Sequence, residues 1–369
     1  AIKNDNRELN AARLAQLPIV RRADMLAELM RFRKSIAIGG THGKTTTTSM
    51  ISSIMVNSQL DPTIINGGII ESYGSNARLG KGSWMVVEAD ESDGTFTRLP
   101  TTVAVVTNID EEHLDYYGNF ENLKNAFKSF IENIPFYGFA VLCVDDPEVN
   151  FMYENIQDRK LVTYGLNTQA NYSAKNIKTK EGKMFFDVII KIKSSPKLLT
   201  IKNVSIVMPG EYNVRNALGA VAVAHQLGIK NDNIKEGLKT FTGVERRFSI
   251  IDKIKGISII DDYAHHPTEI KYSIKSLKEK FEGKKLLSIC EVKSNSMIRG
   301  THKEELYKAL KTSDLSLVIS GKKIKWEFNK KNNNRIFMIS SYLKINKYIR
   351  KNADNIDLIL IMSNTDTKN

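Results

Sequence analysis

"GGTHGKTTTT", residues 39–48, follows directly on the apolar run Ser35-Ile36-Ala37-Ile38. A strand, a glycine turn and then Lys-Thr at the start of a helix place several backbone N–H groups around one point. Lys44 adds a positive charge there, and the Thr45 hydroxyl can ligate Mg²⁺. The segment therefore reads as a phosphate-binding loop, with Gly40, Thr41, His42, Gly43, Lys44, Thr45 and Thr46 as the residues that hold a nucleotide. The general pattern G-x-x-x-x-G-K-[ST] wants a glycine where Ile38 stands, so this loop is a shorter variant.

Outward from the loop, short β-rich runs alternate with helical text. "SIAI", "WMVVEA", "TVAVVTNI" and "FAVLCV" read as strands; "TTTTSMISSIMVNS" and "FENLKNAFKSFIEN" read as helices. This alternation predicts an α/β fold built on a mostly parallel sheet with helices on both faces. "KLVTYG" and "KMFFDVIIKIK" suggest a smaller antiparallel sheet, and "YNVRNALGAVAVAHQLG" has the apolar period of a helix. A second α/β unit starts at "GISIIDDYA" and continues through "PTEIKYSIKSLKEKF", "KLLSICE", "LSLVIS" and "IDLILIMS", with "GVERRF" as connector. Before the loop, Ile19-Val20 look strand-like and a helix is expected from about Arg22 to Phe32.

The 369 residues suffice for two or three domains with real cores. No run of 18 apolar residues and no leader-like start is present, which predicts a cytoplasmic protein without a membrane partner. The two cysteines, Cys143 and Cys290, stand far apart and read as small buried hydrophobes. The net charge of +13 lies almost wholly after residue 245, where 26 Lys/Arg face 14 Asp/Glu. Those lysines alternate with Asn and Ile, as in "KKIKWEFNKKNNNR", without interleaved aromatics. The region reads as a solvated basic face rather than a nucleic-acid site, although it would attract anionic small molecules.

"GTHGKTTT", "VVEADESDGTF", "TNIDEEHLDYYGNFENLKNAF", "MPGEYNVRNALGAVAVA", "GVERRF" and "DDYAHHPTEI" follow one another in an order and spacing that resemble the Mur ligases, the ATP-dependent amide-forming enzymes of peptidoglycan assembly. The resemblance implies a central P-loop ATPase-type parallel sheet domain, residues 35–245, and a C-terminal Rossmann-like α/β domain, residues 246–369. Residues 1–34 would be the remnant of an N-terminal UDP-binding domain. It implies ATP and Mg²⁺, with UDP-N-acetylmuramate and L-alanine as the substrates. Glu88 and His113 would join Thr45 as metal ligands. Asn213 and Asn216 stand in the block that contacts adenine, where Tyr212 replaces a usual His; Asp262 would lie near the ribose. Arg247 would reach the phosphates, while His265 and His266, with Tyr263, would face the reacting carboxylate and amine. Lys44, Glu88, His113, Arg247, His265 and His266 form the expected catalytic set.

After "KLLSICE" the chain departs from the alanine-adding pattern. "VKSNSMIRG" looks more like the family members that attach a recycled tripeptide. The tripeptide as acceptor, and an ATP-binding remnant without turnover, are therefore the alternative expectations.

Overall fold

The computed structural model describes residues 4–192, 197–328 and 335–365. It contains two sheets. The first runs through β1 (Lys34–Gly39), β2 (Thr63–Ile70), β3 (Ser75–Arg78), β4 (Trp84–Glu88), β5 (Val103–Val106), β6 (Phe139–Cys143), β7 (Leu161–Tyr164), β8 (Tyr172–Lys180), β9 (Lys183–Lys191) and β10 (Leu198–Ile206). Their spatial order is β10-β9-β8-β7-β6-β5-β1-β4-β2-β3. The central strand β1 pairs in parallel with β4 on one side and β5 on the other. Both faces of this strand are buried, which is why its text is apolar without polar alternation.

Ile36 and Ile38 pack on one face with Met50, Ile51 and Ile54 of the helix Lys44–Asn57. Ala37 lies on the other face with Phe127 and Phe130 of the helix Phe120–Glu132. Small residues govern how closely the first layer packs. "ALGAVAVA" in the helix Glu211–Gln226 is buried throughout, and Gly237 lies where a Cβ would come within 2.5 Å of Ile54 Cα. The loop helix is thereby wedged between the sheet and two further helices.

The separate antiparallel sheet expected from "KLVTYG" and "KMFFDVIIKIK" is not formed. β7 pairs in parallel with β6 and continues the main sheet. β8, β9 and β10 then extend that same sheet as an antiparallel meander, joined through the single parallel pair Tyr164–Tyr172. Asn171 makes the join: its Oδ1 accepts from the Thr163 N–H at 3.0 Å and from Thr163 Oγ1 at 3.1 Å. Nor are Ile19-Val20 a strand; the leading segment forms the helices Arg7–Leu14 and Arg22–Met30.

The second sheet has β11 (Ser249–Ile254), β12 (Ile257–Asp262), β13 (Leu286–Glu291), β14 (Leu315–Ile319), β15 (Ile336–Ile339) and β16 (Leu358–Met362), in the order β11-β12-β16-β13-β14-β15. All pairs are parallel except the edge pair β11–β12. Helix Pro267–Lys280 starts just beyond β12 and is capped by His266 together with Glu269, a capping box with Pro at the first position. Both chemistry-bearing loops, Gly39–Lys44 and Asp262–His266, thus leave the C-terminal end of a parallel strand and enter a helix, the place where open α/β sheets put ligands. Among the described residues no helix is long and apolar enough to cross a membrane.

Candidate active site

Gly40 and Gly43 adopt φ of +129° and +84°, conformations that L side chains rarely take. A Cβ at Gly40 would overlap Thr107 Oγ1, and one at Gly43 would lie 2.6 Å from Asn216 Oδ1. The loop is therefore pressed against the strand-end segment Thr107–Asn108 on one side and the helix Glu211–Gln226 on the other. Thr107 Oγ1 and Asn108 Nδ2 donate to the His42 carbonyl at 2.6 and 2.9 Å, and the His42 N–H donates to Asn108 Oδ1 at 2.8 Å. Thr41 Oγ1 accepts from the Asp110 N–H at 2.9 Å. Side chains outside the loop thus bind its backbone and fix the orientation of the turn.

Lys44 folds back over this turn. Its Nζ donates to the carbonyls of Gly40 at 2.6 Å and Thr41 at 3.2 Å, and to Glu91 Oε1 at 2.8 Å. Burial works against the Lys44 charge, but Glu91 and Glu88 hold its pKa above the ordinary lysine value. Burial also pushes the Glu91 carboxyl up, with Lys44 opposing. Glu91 Oε2 is buried without a hydrogen-bond partner.

Two donor groups flank Lys44. Thr45 Oγ1 lies 3.2 Å from Glu88 Oε1, while Glu88 Oε2 accepts from the Gly67 N–H at 2.8 Å. On the other side Glu91, Glu112 and His113 each offer a ligand atom, all within 4.8 Å of one another. His113 Nε2 stands 3.9 Å from Glu91 Oε1. The orphaned Glu91 oxygen, the two carboxylates and the Thr45 hydroxyl are hard oxygen donors that fit a Mg²⁺ ion. Among the expected ligands, Thr45 and Glu88 come together directly; the partners of His113 are Glu91 and Glu112.

The second unit closes over the loop from across the cleft. His42 Nδ1 is 3.3 Å from Glu269 Oε1, and His42 Nε2 is 3.3 Å from Asp110 Oδ2. Thr268 Oγ1 donates to Asp110 Oδ2 at 2.8 Å. His265 Nε2 lies 3.4 Å from Glu112 Oε1, and Arg247 Nη1 3.7 Å from Glu269 Oε1. Burial opposes the His42 charge, yet the bonds to Asp110 and Glu269 raise its pKa to about 10. Burial lowers His266 to about 4, helped by the nearby His42 charge. For Glu112, burial is the largest effect and acts upward, but the His265 contact and the His42 charge together outweigh it and bring it to about 2. His265 is raised for the reciprocal reason, against its own burial.

Beside this network is a cavity of about 550 Å³ whose lining includes His42, Asp110, Asp145, Tyr212, Asn216 and Tyr272. Tyr212 and Tyr272 stack with centroids 5.4 Å apart, and Arg215 lies over the Tyr272 ring. Asn216 faces this cavity, whereas Asn213 is fully buried and donates to the Pro209 carbonyl at 2.7 Å. Thr46 is buried in the first turn of the loop helix. Asp262 is turned inward: it accepts from the Phe248 and Ala264 N–H groups at 3.1 and 2.8 Å and from Ser273 Oγ at 3.2 Å. Its side chain anchors the connector to the second sheet and is not part of the cavity lining.

Glu91, Glu112, Asp110, Thr268 and Glu269 also belong to the site, although the motifs do not single them out. All five lie inside motif blocks; Asp110, Glu112, Thr268 and Glu269 stand within four residues of a motif histidine, whereas the block around Glu91 contains none.

Residues 38–224 match the Mur ligase middle domain, and residues 246–365 match the Mur ligase glutamate ligase domain. The UDP-N-acetylmuramate–L-alanine ligases of Allorhizobium ampelinum and Rhizobium meliloti are 55% and 56% identical over 284 residues, 77% of this chain and 60% of theirs. The crystal structure of the UDP-N-acetylmuramate-alanine ligase from Thermotoga maritima superposes with a TM-score of 0.81 at 27% identity, covering 99% of this chain and 80% of that one. A murein peptide ligase from Psychrobacter arcticus shares the fold, with a TM-score of 0.71 at 24% identity over 98% of this chain and 81% of that one. The chain spans about 60% of the length of the curated relatives it matches. With both of its sheets covered by these matches, the chain belongs to the Mur ligase family.

Proposed function

We propose that this chain carries the ATP-handling and amide-forming part of a cytoplasmic ligase that joins L-alanine to the carboxylate of UDP-N-acetylmuramate in peptidoglycan synthesis. The observation that carries the reading is the fixed turn Gly40–Thr45 with Lys44 and paired carboxylates beside it, faced across the cleft by Arg247, His265 and His266. Residues 35–245 form the ATP-binding domain, residues 246–369 the ligase domain, and residues 1–34 the trailing part of a UDP-binding domain.

The γ-phosphoryl group of ATP passes to a carboxylate oxygen, giving an acyl phosphate and ADP. The amine nitrogen then attacks the acyl carbon; the C–O bond to phosphate breaks and the nitrogen loses a proton. Most of the catalytic demand is positioning and charge neutralisation. Loop amides from Gly40 onward bind the phosphates, and Lys44 leaves its carbonyl partners to neutralise the transferred group. Thr45, Glu88 and His113, with Glu91 and Glu112 adjoining, hold Mg²⁺, which supplies neutralisation of the phosphate oxygens. Arg247 adds a second fixed cation. His265, whose pKa Glu112 raises against burial, suits the substrate carboxylate; His266, lowered to about 4 by burial, accepts a hydrogen bond from the incoming amine. Tyr212, Tyr272 and Asn216 form the wall on which the purine rests.

The test combines calorimetry with Mg-ATP and incorporation of radiolabelled L-alanine in the presence of UDP-N-acetylmuramate. Saturable Mg-ATP binding and alanine-dependent phosphate release are expected; an absence of heat with Mg-ATP overturns the reading. Tripeptide acceptance is the second reading. "VKSNSMIRG" supports it: Ser294 caps the short helix Asn295–Arg299, and Lys293 is engaged by Thr365 and Glu291, so this stretch departs from the alanine-type text. Preferential incorporation of labelled tripeptide would select it. ATP binding with neither amine incorporated would mark a remnant without turnover.

A further inference from the structure

His42, Asp110 and His266 converge from three separate loops on one point between the two units. Each offers one ligand atom, and the three atoms lie within 4.8 Å of one another. His42 Nε2 is 3.3 Å and His266 Nδ1 is 3.6 Å from the same oxygen, Asp110 Oδ2. An ion bound tetrahedrally at about 2.0–2.2 Å keeps its ligand atoms roughly 3.3–3.6 Å apart. The geometry points to a second cation site made of His42, Asp110 and His266, selective for a borderline divalent ion of the Zn²⁺ class and separate from the Mg²⁺ position beside Lys44.

Ligand chemistry separates the two positions. Mg²⁺ prefers oxygen donors in an octahedron and keeps several waters, which suits Thr45 and the carboxylates around Lys44. Two imidazoles and one carboxylate instead suit Zn²⁺, Co²⁺ or Ni²⁺. The outer shell has the form such sites use: Glu269 Oε1 lies 3.3 Å from the other ring nitrogen of His42, and Thr268 Oγ1 orients Asp110. His266 Nδ1, the ring nitrogen nearest Asp110, accepts only a long 3.4 Å contact from the Thr268 N–H, a weak cap that an ion at this lone pair would replace. His42 and Asp110 also line the 550 Å³ cavity, which gives an entry path and room for a water as fourth ligand.

His42 belongs to the phosphate loop, whereas His266 starts the first helix beyond β12 in the second unit. An ion held by both ties the units together in the closed arrangement and occupies two side chains that the ligase reaction needs. The site therefore acts as a brake: it holds the cleft shut without nucleotide.

The test is calorimetric titration of the full chain with Zn²⁺, alone and with millimolar Mg²⁺, without nucleotide. One Zn²⁺ per chain is expected to bind and to persist in Mg²⁺. Asp110→Asn and His266→Ala should each weaken it at least about tenfold, while His113→Ala stays within about twofold. Two further readouts use the unaltered chain, so a misfolded variant cannot decide the matter. Co²⁺ should give the intense visible absorption of a tetrahedral nitrogen–oxygen site, and Zn²⁺ should slow proteolysis at the connector around residues 243–247. Loss of Zn²⁺ binding in Mg²⁺, full binding by His266→Ala, or loss in His113→Ala overturns the assignment. An octahedral Co²⁺ spectrum, or a connector cleaved equally fast with Zn²⁺, does the same. Because no nucleotide is present, failure here leaves the ATP reading untouched.

Discussion

At the level of single residues, Lys44 and Glu91 show why charge and burial must be considered together. Glu91 is 1% exposed and keeps one oxygen unpartnered; its 2.8 Å bond to Lys44 is the contact that offsets its desolvation. Breaking a buried pair by removing one partner costs about 3 kcal/mol or more, because the remaining charge is left uncompensated. Lys44→Ala is therefore expected both to abolish phosphate release and to destabilise the fold at pH 8 by roughly 3–5 kcal/mol. Burial already raises the Glu91 pKa, so once Lys44 is gone the carboxyl can take up a proton, and the stability deficit should shrink as pH falls toward 5. The double variant Lys44→Ala, Glu91→Gln should recover most of the stability and none of the turnover. Urea unfolding at pH 5 and pH 8 measures this, and a Lys44→Ala protein as stable as the parent at pH 8 would refute it. Lys44 itself was legible from the Gly-Lys-Thr spacing. Glu91 was not, because its role depends on depth in the fold, which three neighbouring acidic letters in "EADESD" do not encode.

At the level of elements, the turn between β1 and its helix is held by backbone conformation as much as by side chains. Gly40→Ala places a methyl group onto Thr107 Oγ1 at a φ of +129°, so strain and overlap add. A loss of about 2–4 kcal/mol is expected, together with at least tenfold weaker Mg-ATP binding. Gly74→Ala makes the matched control. Its φ is +59° with open space around the added Cβ, and it should cost about 1 kcal/mol with nucleotide affinity unchanged. Chemical unfolding and calorimetry on the pair test this; equal losses in both variants would show that steric pressure at the loop is unimportant. The parallel core was readable because β1, β4, β5 and β6 are short apolar runs bounded by turn residues. The continuation from β7 into the meander was not, since one Tyr164–Tyr172 pair and the Asn171–Thr163 bonds decide whether a strand joins an existing sheet or begins another. Local periodicity is the same in both cases. The four-residue β15 follows lysine- and asparagine-rich text and gave no period to read.

For the whole molecule, the question is what holds the two units together across the cleft, and beside the Tyr212–Tyr272 stack the contacts at the site are chiefly ionic. From the first unit come His42, Asp110 and Glu112; from the second come His265, His266, Thr268 and Glu269. Relative to an open form in which these groups regain ordinary values, closure must depend on pH. His42, at about 10, and His265 are raised; their contribution is complete below about 6.5, the ordinary histidine value, and is lost as pH climbs through the raised values. Glu112, at about 2, with Asp110 and Glu269, is lowered; their contribution is complete above about 4.5 and is lost as pH falls through the lowered values. His266, at about 4, adds a repulsive charge beside His42 only in acid. The closed form is thus expected to be most populated between about pH 4.5 and 6.5 and to open progressively from there toward pH 10. Small-angle scattering across pH 5–10 without nucleotide should show the radius of gyration rising over that upper range. His42→Gln, which keeps a polar side chain but removes the titrating cation between Asp110 and Glu269, should flatten most of the rise. A parent profile that does not change with pH would mean that apolar packing, rather than this ionic lattice, sets the closure.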